Sequence, residues 1–297
     1  MIRVGTCSWT ERSLIQSGEF YPRAVRTAEG RLRYYADNFD TVEVDSTYYA
    51  IPDSNTTLLW DKRTPENFIF HIKAYGALTG HGVDRSTLPR DIAEELTDNN
   101  GDSRYIFIKD LSVLSVVAER FKEALAPLVN SGKLGLLVFQ YPPWFQHGKK
   151  NFDYILRCRE LMKELPVAVE FRHGSWLSPG TADSVFAFLR DHGLTYVAAD
   201  EPQYGNQSTV PFIATAAGDT AYFRFHGRNR ETWLKKGVET SLRYNYLYSD
   251  EELKELASAV LSVSRGAAVT YAMFNNCHGG FAMRNALRLK ELTGLRN

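Results

Sequence analysis

The sequence has few cysteines and no long apolar run, and both absences narrow the class of protein. Its three cysteines, Cys7, Cys158 and Cys277, lie far apart without a C-x-x-C pair, so we expect a reducing compartment and no disulfide framework. No segment reaches the length of a membrane span, and Met1 to Gly5 lacks the charged and apolar regions of a secretory signal. We therefore predict a cytoplasmic protein with no membrane partner.

Net charge is absent as well. Lys plus Arg and Asp plus Glu number 35 each, whereas a protein that coats nucleic acid through bulk electrostatics is normally basic. The charges are nevertheless segregated. Arg224 to Tyr246 carries six basic residues against two acidic ones, and Ala74 to Leu111 carries four against seven. A neutral total thus limits an anionic partner to a local patch.

Hydrophobic residues make up 44% of the 297 residues, and no linker or low-complexity tract divides the chain. Short apolar, β-branched or aromatic runs alternate with helical patterns over the whole length, which predicts a parallel sheet. Because there are eight runs, we predict an α/β fold, a TIM-type (β/α)8 barrel forming a single domain over residues 1–297. The predicted strands are Arg3–Ser8, Thr41–Asp45, Phe68–Lys73, Gly135–Gln140, Val167–Phe171, Thr195–Ala199, Ala221–Phe225 and Val269–Phe274.

Several connections between these strands have readable features. Helix starts are predicted at Ser112, at Thr181 and at the run that begins with Ser249, each followed by a helical pattern. The segments 74–111 and 227–249, after strands three and seven, are too long for simple connections. Both leave the carboxyl end of a strand, where barrel active sites are built.

Polar residues stand two apart at the ends of four strands. Side chains at this spacing share one face, so each pair is expected to face the lumen while its apolar neighbours face the helices. Because charges buried under helices would be costly, we predict a ring of mixed charge at the barrel mouth. The pairs are Glu43 and Asp45, His71 and Lys73, Glu170 and Arg172, and Arg224 and His226. A salt-bridged plug is the alternative, but lumens are usually filled by Val, Ile and Leu, which favours a functional pocket.

Other strand ends and loops add binding candidates. Gly279 and Gly280 precede an Ala-rich helix, so they predict a phosphate or carboxylate site, with a simple turn as the alternative. The loop 227–249 interleaves basic and aromatic residues, which leaves nucleic-acid contact and a solvated charged face both open. The remaining substrate-binding candidates are Trp9, Asp45, Gln140, Arg172, Asp200, Arg224, Arg228, Tyr246, Asn275 and Asn276.

Metal-ligand residue types occur at neighbouring strand ends, among them His71, His226 and Glu170. Lys73 and Arg172 would lie among them and repel a divalent ion, so we predict no metal and no cofactor. The sequence contains no G-x-S-x-G, P-loop or H-E-x-x-H motif, so serine hydrolase, NTPase and zincin chemistry lack support.

Seven motifs together resemble the YecE-like family, also called domain of unknown function 72. They are Gly5–Trp9, Phe20–Pro22, Thr41–Tyr49, Phe139–Pro143, Val169–Trp176, Arg224–Arg228 and Phe274–Asn276. The resemblance implies a TIM-type barrel without a settled activity, and its motif positions are Glu43, Lys73, Gln140, Glu170, Arg172, Arg224, His226 and Asn275. Thr10 to Glu19 is longer than the turn expected for the family, and Leu136 replaces its usual Pro. Likeness to endonuclease IV-like barrels is an analogy of fold alone.

We hypothesise an enzyme that acts on a phosphorylated or sugar-containing small molecule, including a nucleotide or nucleic-acid end. Glu43 and Glu170 would divide acid and base roles, and Lys73 would stabilise an oxyanion or form a Schiff base. His226 would shuttle a proton, and Arg172, Arg224 and Arg228 would clamp the anion. The alternatives are a non-catalytic protein that binds nucleic acid or an anionic metabolite, and a metal-dependent phosphodiesterase.

Overall fold

The eight predicted strands form one parallel sheet in the computed structural model, which describes residues 1–96 and 104–295. They are β1 (Ile2–Thr6), β2 (Thr41–Val44), β3 (Ile69–Lys73), β6 (Leu134–Gln140), β7 (Val167–Glu170), β8 (Thr195–Asp200), β9 (Thr220–Phe225) and β10 (Val269–Phe274); β4 (Val83–Asp84) and β5 (Tyr105–Ile106) pair separately. Neighbours follow the order β1, β10, β9, β8, β7, β6, β3, β2, and a parallel bridge from Cys7 to Glu43 joins the two ends. The predicted TIM-type barrel is confirmed.

Helices surround the sheet, as the alternating pattern predicts. Within the described residues they are α1 (Arg12–Ser17), α2 (Ala28–Asn38), α3 (Ser54–Lys62), α4 (Arg90–Glu95), α5 (Leu111–Asn130), α6 (Lys149–Met162), α7 (Ala182–Asp191), α8 (Thr240–Arg243), α9 (Asp250–Ser264) and α10 (Phe281–Leu292). None of these helices combines the length and apolar character needed to cross a bilayer.

One of the three predicted helix starts is displaced, because α5 begins at Leu111, before Ser112. Asp110, rather than Ser112, caps α5, because its carboxylate accepts the Ser112 N–H at 2.7 Å. Thr181 occupies the cap position of α7, as predicted, although its hydroxyl donates to the Ser175 carbonyl and makes no side-chain cap. Ser249 forms a full capping box at the start of α9, as its sequence pattern indicates.

Strand side chains alternate between two apolar layers. Val42, Phe171 and Phe225 pack between the sheet and the helices, as the period of two predicts. A second cluster fills the lumen, and it consists of Cys7, Leu136, Val138, Ala168, Val197, Tyr222, Tyr271 and Met273. This lumen cluster is the floor on which the polar strand ends rest.

His71 lies in that floor and not at the mouth. Its ring packs edge-on against Tyr222 and Tyr271, and its Nδ1 accepts the Leu136 N–H at 2.9 Å. A Cβ on Gly135 would come within 2.6 Å of the same nitrogen, so the close approach of the imidazole requires glycine there. Burial lowers the pKa of His71 to about 3, and the residue is a neutral part of the core.

The seam between β1 and β2 is closed partly by a side chain. In the described part of the chain, these strands share one bridge, at which the Ser8 N–H donates to the Glu43 carbonyl at 2.8 Å. Deeper in the seam, the buried Tyr35 hydroxyl accepts the Thr6 N–H and donates to the Thr41 carbonyl, both at 3.0 Å. The hydroxyl of Tyr35, on α2, therefore takes the place of a main-chain hydrogen bond between β1 and β2.

The predicted long connections follow β3 and β9. The first contains the β4–β5 ladder and α4. Asp98 and Asp102, two of its seven acidic residues, lie outside the described residues. The second runs back over the carboxyl ends of the strands before α9 begins.

Candidate active site at the barrel mouth

Arg224, near the end of β9, is the centre of the polar cluster and is fully buried. Its Nη2 donates to Glu43 at 2.7 Å and to Asp45 at 3.3 Å. Its Nη1 donates to Gln140 at 3.1 Å and to Glu170. One guanidinium thus joins groups from β2, β6 and β7 across the lumen, and the structure brings the predicted mixed-charge residues together.

Glu170 at the end of β7 accepts from three cationic or imidazole donors. Arg224 and Arg172 donate to it, the latter at 3.1 Å, and His226 donates at 3.0 Å. Burial alone would raise the pKa of Glu170, but Arg224 and then His226 outweigh it and hold the pKa well below its usual range. Glu170 is therefore ionised at neutral pH.

His226 is neutral and has both nitrogens paired. A carboxylate only accepts, so Nε2 carries the proton that faces Glu170, and Nδ1 accepts from the Asn275 amide at 2.9 Å. Burial lowers the pKa of His226 to about 4 despite the nearby Glu170. His226 consequently orients Glu170 and Asn275, and it has no free nitrogen for the predicted proton shuttle.

Glu43 at the end of β2 is the carboxyl with the opposite tendency. Burial raises its pKa to about 7, although Arg224 opposes this effect, and the nearby Asp45 raises it further. The Tyr222 hydroxyl, 2.7 Å away, donates to its second oxygen. Because one guanidinium serves several carboxylates, Glu43 is, among the carboxyls that contact Arg224, the one that holds a proton near neutral pH.

Lys73 and Arg172 are the cations of the cluster that solvent reaches, with side chains 12% and 13% exposed. Burial disfavours the Lys73 ammonium, but Asp45 at 3.6 Å, together with Tyr244 and Glu43, outweighs burial and raises the pKa of Lys73. The amine is thus charged, which suits an oxyanion contact and not a Schiff base. Arg172 bridges Glu170 and Glu201, 3.1 and 3.2 Å away.

Glu201 belongs to this cluster, whereas Asp200 does not. Val197 packs in the lumen, so the spacing of two places residue 201 on the same side. Glu201 accepts the Val210 N–H at 2.8 Å, and burial, opposed by Arg172, raises its pKa to about 7. Asp200 was the predicted binding residue, but the alternation of side chains places Glu201 in the cluster instead.

Asp200, Arg228 and Tyr246 form a second group that fastens the loop 227–249. Arg228 contacts Asp200 at 2.9 Å and Glu252 at 3.1 Å, and the Tyr246 hydroxyl donates to Glu252 at 2.7 Å. The buried Tyr248 hydroxyl donates to Asp200 at 2.6 Å. Asp200 and Arg228 thus pair with each other, and Arg228 and Tyr246 hold the loop on α9 through Glu252.

Asn276 fixes the same loop from the other side. Its amide donates to the Tyr246 carbonyl at 2.8 Å and to Asn285 in α10 at 2.7 Å. Asn275 faces His226, so the two neighbouring amides serve different partners.

Aromatic residues of the loop cover the cluster. The buried Trp233 lies 4.9 Å from the Arg172 guanidinium and 5.9 Å from the His226 ring, and Tyr244 packs edge-on against Trp233. The Trp233 indole thus faces inward and is not displayed for stacking on an external base. Neither aromatic was a predicted site residue, since their order along the loop gives no sign of direction.

Trp9 and the glycine turn do not join the cluster. Trp9 packs against Trp60 and Phe70 in the layer between sheet and helices. The Gly279 N–H donates to the Ser13 hydroxyl at 2.8 Å, and Gly280 packs under α1. The long segment after β1 therefore covers the glycine turn at which an anion site was predicted, and the alternative, a simple turn of the chain, fits the structure better.

Among the described residues, one set of side chains has the spacing of a metal site. Cys7, Glu43 and Asp45 place ligand atoms within 4.8 Å of one another. The Arg224 Nη2 lies 3.8 Å from the Cys7 sulfur and bonds both carboxylates, so a guanidinium already holds the cation position. A metal ion would have to displace that guanidinium, and independence of metal stays a prediction.

These features define a TIM-type barrel protein with a buried charge cluster at the carboxyl ends of its strands. The chain belongs to the family described as "Protein of unknown function DUF72", whose model matches residues 3–297. It is 32% identical to the UPF0759 protein YunF of Bacillus subtilis over 98% of this chain and 94% of that protein. The predicted family is confirmed.

Solved structures of the family have the same fold. A DUF72 family protein of Enterococcus faecalis is 30% identical with a TM-score of 0.80, covering 100% of this chain and 97% of that one. A DUF72 family protein of Thermotoga maritima is 33% identical with a TM-score of 0.78, covering 99% of both chains.

Proposed function

We propose that the protein is an enzyme that performs acid/base chemistry on a phosphorylated or sugar-containing small molecule at the barrel mouth. The contrast between Glu43 and Glu170 carries the proposal. Both carboxyls contact Arg224, yet the pKa of Glu43 is raised to about 7 and that of Glu170 lies well below its usual range. Carboxyls whose environments separate their pKa values are typical of acid/base sites.

We divide the roles differently from the hypothesis drawn from the sequence. Glu43 exchanges the proton, since its pKa matches neutral pH. Glu170 stays ionised and orients Arg224 and His226. Both terminal nitrogens of Arg224 are bonded to internal partners, so it acts as a positioning residue and not as a clamp on substrate.

Lys73 and Arg172 would receive the anionic group of the substrate. They are the cations at the solvent side of the cluster, beside Asp45, whose side chain is 24% exposed, and Gln140. A charged ammonium there stabilises negative charge that develops on an oxygen. A substrate that contacts the face of the Arg172 guanidinium under Trp233 would displace that ring.

Conversion of a panel of sugar phosphates and nucleotides, followed by phosphorus NMR and mass spectrometry, tests the proposal. For any compound converted, Glu43→Gln should lower kcat about 10²- to 10⁴-fold, since Gln keeps the hydrogen bonds but cannot transfer a proton. Glu160→Gln, an exposed change on α6, is the control. Full turnover by the Glu43→Gln variant would contradict the assignment.

A non-catalytic binding protein is the second candidate. Its support is that the charged side chains at the centre of the cluster are already paired inside the protein. Such a protein would bind an anion in a salt-sensitive manner without releasing a product. Binding of a panel member at the mouth with no conversion after prolonged incubation would favour this candidate.

A further inference from the structure

A groove beside the barrel mouth has the size and the lining of a ligand site. It lies between the connection after β3 and the start of α6, and its volume is about 680 Å³. This volume falls within the range of small-molecule pockets. Trp144 and Phe107, with 61% and 55% of their surfaces exposed, form part of its walls.

The groove is also basic. Lys109, Lys149, Lys150 and Arg157 line it together with one acidic residue, Asp153. In the part of the chain that the structure describes, none of these four cations has an ion-pair partner. An excess of unpaired positive charge around a cavity attracts an anion of matching size.

The first turn of α6 adds a second source of positive potential. Lys149 and Lys150 begin the helix, Gly148 provides no side-chain cap, and the turn contains no acidic residue. Cations at a helix amino end oppose the helix dipole, so this arrangement costs energy unless an anion is bound.

We infer that the groove binds a nucleoside phosphate, with the base against Trp144 and the phosphate at Lys149 and Lys150. Aromatic faces stack on any base, and lysines neutralise phosphate oxygens, so the two wall types together match a ligand that is aromatic at one end and anionic at the other. The inference does not rest on the proposed acid/base chemistry.

A chain of ring contacts connects the groove to the mouth. Lys73 lies 5.0 Å from the Tyr48 ring, Tyr48 packs against His81, and His81 packs against Trp144. Burial, together with Lys73 and Arg172, lowers the pKa of His81 to about 4, so an uncharged ring separates the two sites. A ligand in the groove would lie beside the mouth and leave its cluster intact.

Calorimetric titration with ADP tests the inference, and the chain supplies a matched control. The pair Lys149→Ala and Lys150→Ala should weaken ADP binding at least tenfold. Lys235→Ala with Lys236→Ala removes two adjacent exposed lysines from the loop 227–249, and affinity should stay within twofold. An equal loss in both double variants would mean non-specific charge attraction and overturn the inference.

The aromatic wall is tested separately. Trp144→Leu should weaken ADP binding about tenfold, and ribose 5-phosphate should bind more weakly than ADP and be insensitive to this change. The other four tryptophans are buried, so ADP should protect the exposed indole from acrylamide quenching. Absence of ADP binding at millimolar concentration, or unchanged affinity in Trp144→Leu, would overturn the inference.

Glu43→Gln keeps the two proposals distinguishable. It should leave ADP affinity unchanged, because Glu43 does not line the groove. Loss of turnover with intact ADP binding supports both proposals, whereas ADP binding without any conversion supports the groove alone.

Discussion

Arg224 at the barrel mouth is fully buried between Glu43 and Glu170, whereas Lys149 and Lys150 in the groove are exposed and have no ion-pair partner among the described residues. The same kind of charge is therefore committed to the fold in one region and available to a ligand in the other. Removing a partner of a buried ion pair leaves an uncompensated charge, while removing an exposed charge leaves water in its place. Substitutions should thus affect stability at the mouth and binding in the groove.

Glu170→Gln should have the largest effect on stability. It leaves Arg224 and Arg172 without their shared anion, and we expect a loss of roughly 3–5 kcal/mol in the free energy of unfolding, measured by urea denaturation. If Glu170 served only in acid/base chemistry, this substitution would leave the free energy of unfolding unchanged, which we do not expect. Glu160→Gln should change stability by less than about 0.5 kcal/mol, and similar values for both variants would erase the contrast between buried and exposed charge.

Glu43→Gln should change how stability depends on pH. The folded pKa of about 7 lies above the ordinary value of 4.5, so between these pH values the native state binds more protons than the unfolded state. The contribution of Glu43 to stability is complete below pH 4.5 and falls as the pH rises through 7. Relative to the variant, the wild type should lose on the order of 3 kcal/mol over this window.

The measurement is urea unfolding of both proteins at several pH values. If the free energies of unfolding of the two proteins ran parallel as a function of pH, Glu43 would titrate normally and the contrast with Glu170 would disappear.

Tyr222→Phe should have a smaller effect at the same place. It deletes the hydroxyl that donates to Glu43 at 2.7 Å in a buried site, and we expect a loss of about 1–2 kcal/mol in the free energy of unfolding. Because that hydrogen bond favours the ionised carboxyl, the pKa of Glu43 should rise further, which the pH dependence of unfolding would detect. Tyr105→Phe, on an exposed ring, provides the comparison.

The double change of Lys149 and Lys150 to Ala should have the smallest effect on stability. Both cations oppose the dipole of α6, so their removal should stabilise the protein by a few tenths of a kcal/mol without ligand. Thermal unfolding in the presence and absence of ADP measures this. A clear loss of stability without ADP would place these lysines among the structural charges, beside Arg224.

Strand positions and the lumen-facing set were accessible from the sequence because alternation fixes direction within a strand. Glu43, Glu170, Arg172 and Arg224 were placed by that rule, and they meet at the mouth. The rule does not say how deep in the lumen a side chain lies, so it did not predict that His71 belongs to the floor. It also missed Glu201, because the predicted strand ended at Ala199 and the observed strand ends at Asp200.

Loops were not accessible in the same way. Trp233 faces inward because Arg172 and His226 lie beneath it. Gly279 is covered because α1 packs over the glycine turn that precedes α10. Both outcomes depend on contacts between segments far apart in sequence. Nor does the spacing of Lys149 and Trp144 reveal a cavity, since the opposite wall comes from the connection after β3.

The Tyr35 hydroxyl in the seam between β1 and β2 affects how the barrel opens locally. In the described part of the chain, one bridge and one phenol join these two strands, so they can part without breaking a long ladder, and the bridge is formed by Glu43. A fluctuation that separates them carries the Glu43 carboxyl away from Arg224, so local opening and uncoupling of the charges are one event. The amide protons of Thr6 and Ser8 should report it by exchanging with solvent before those of β9.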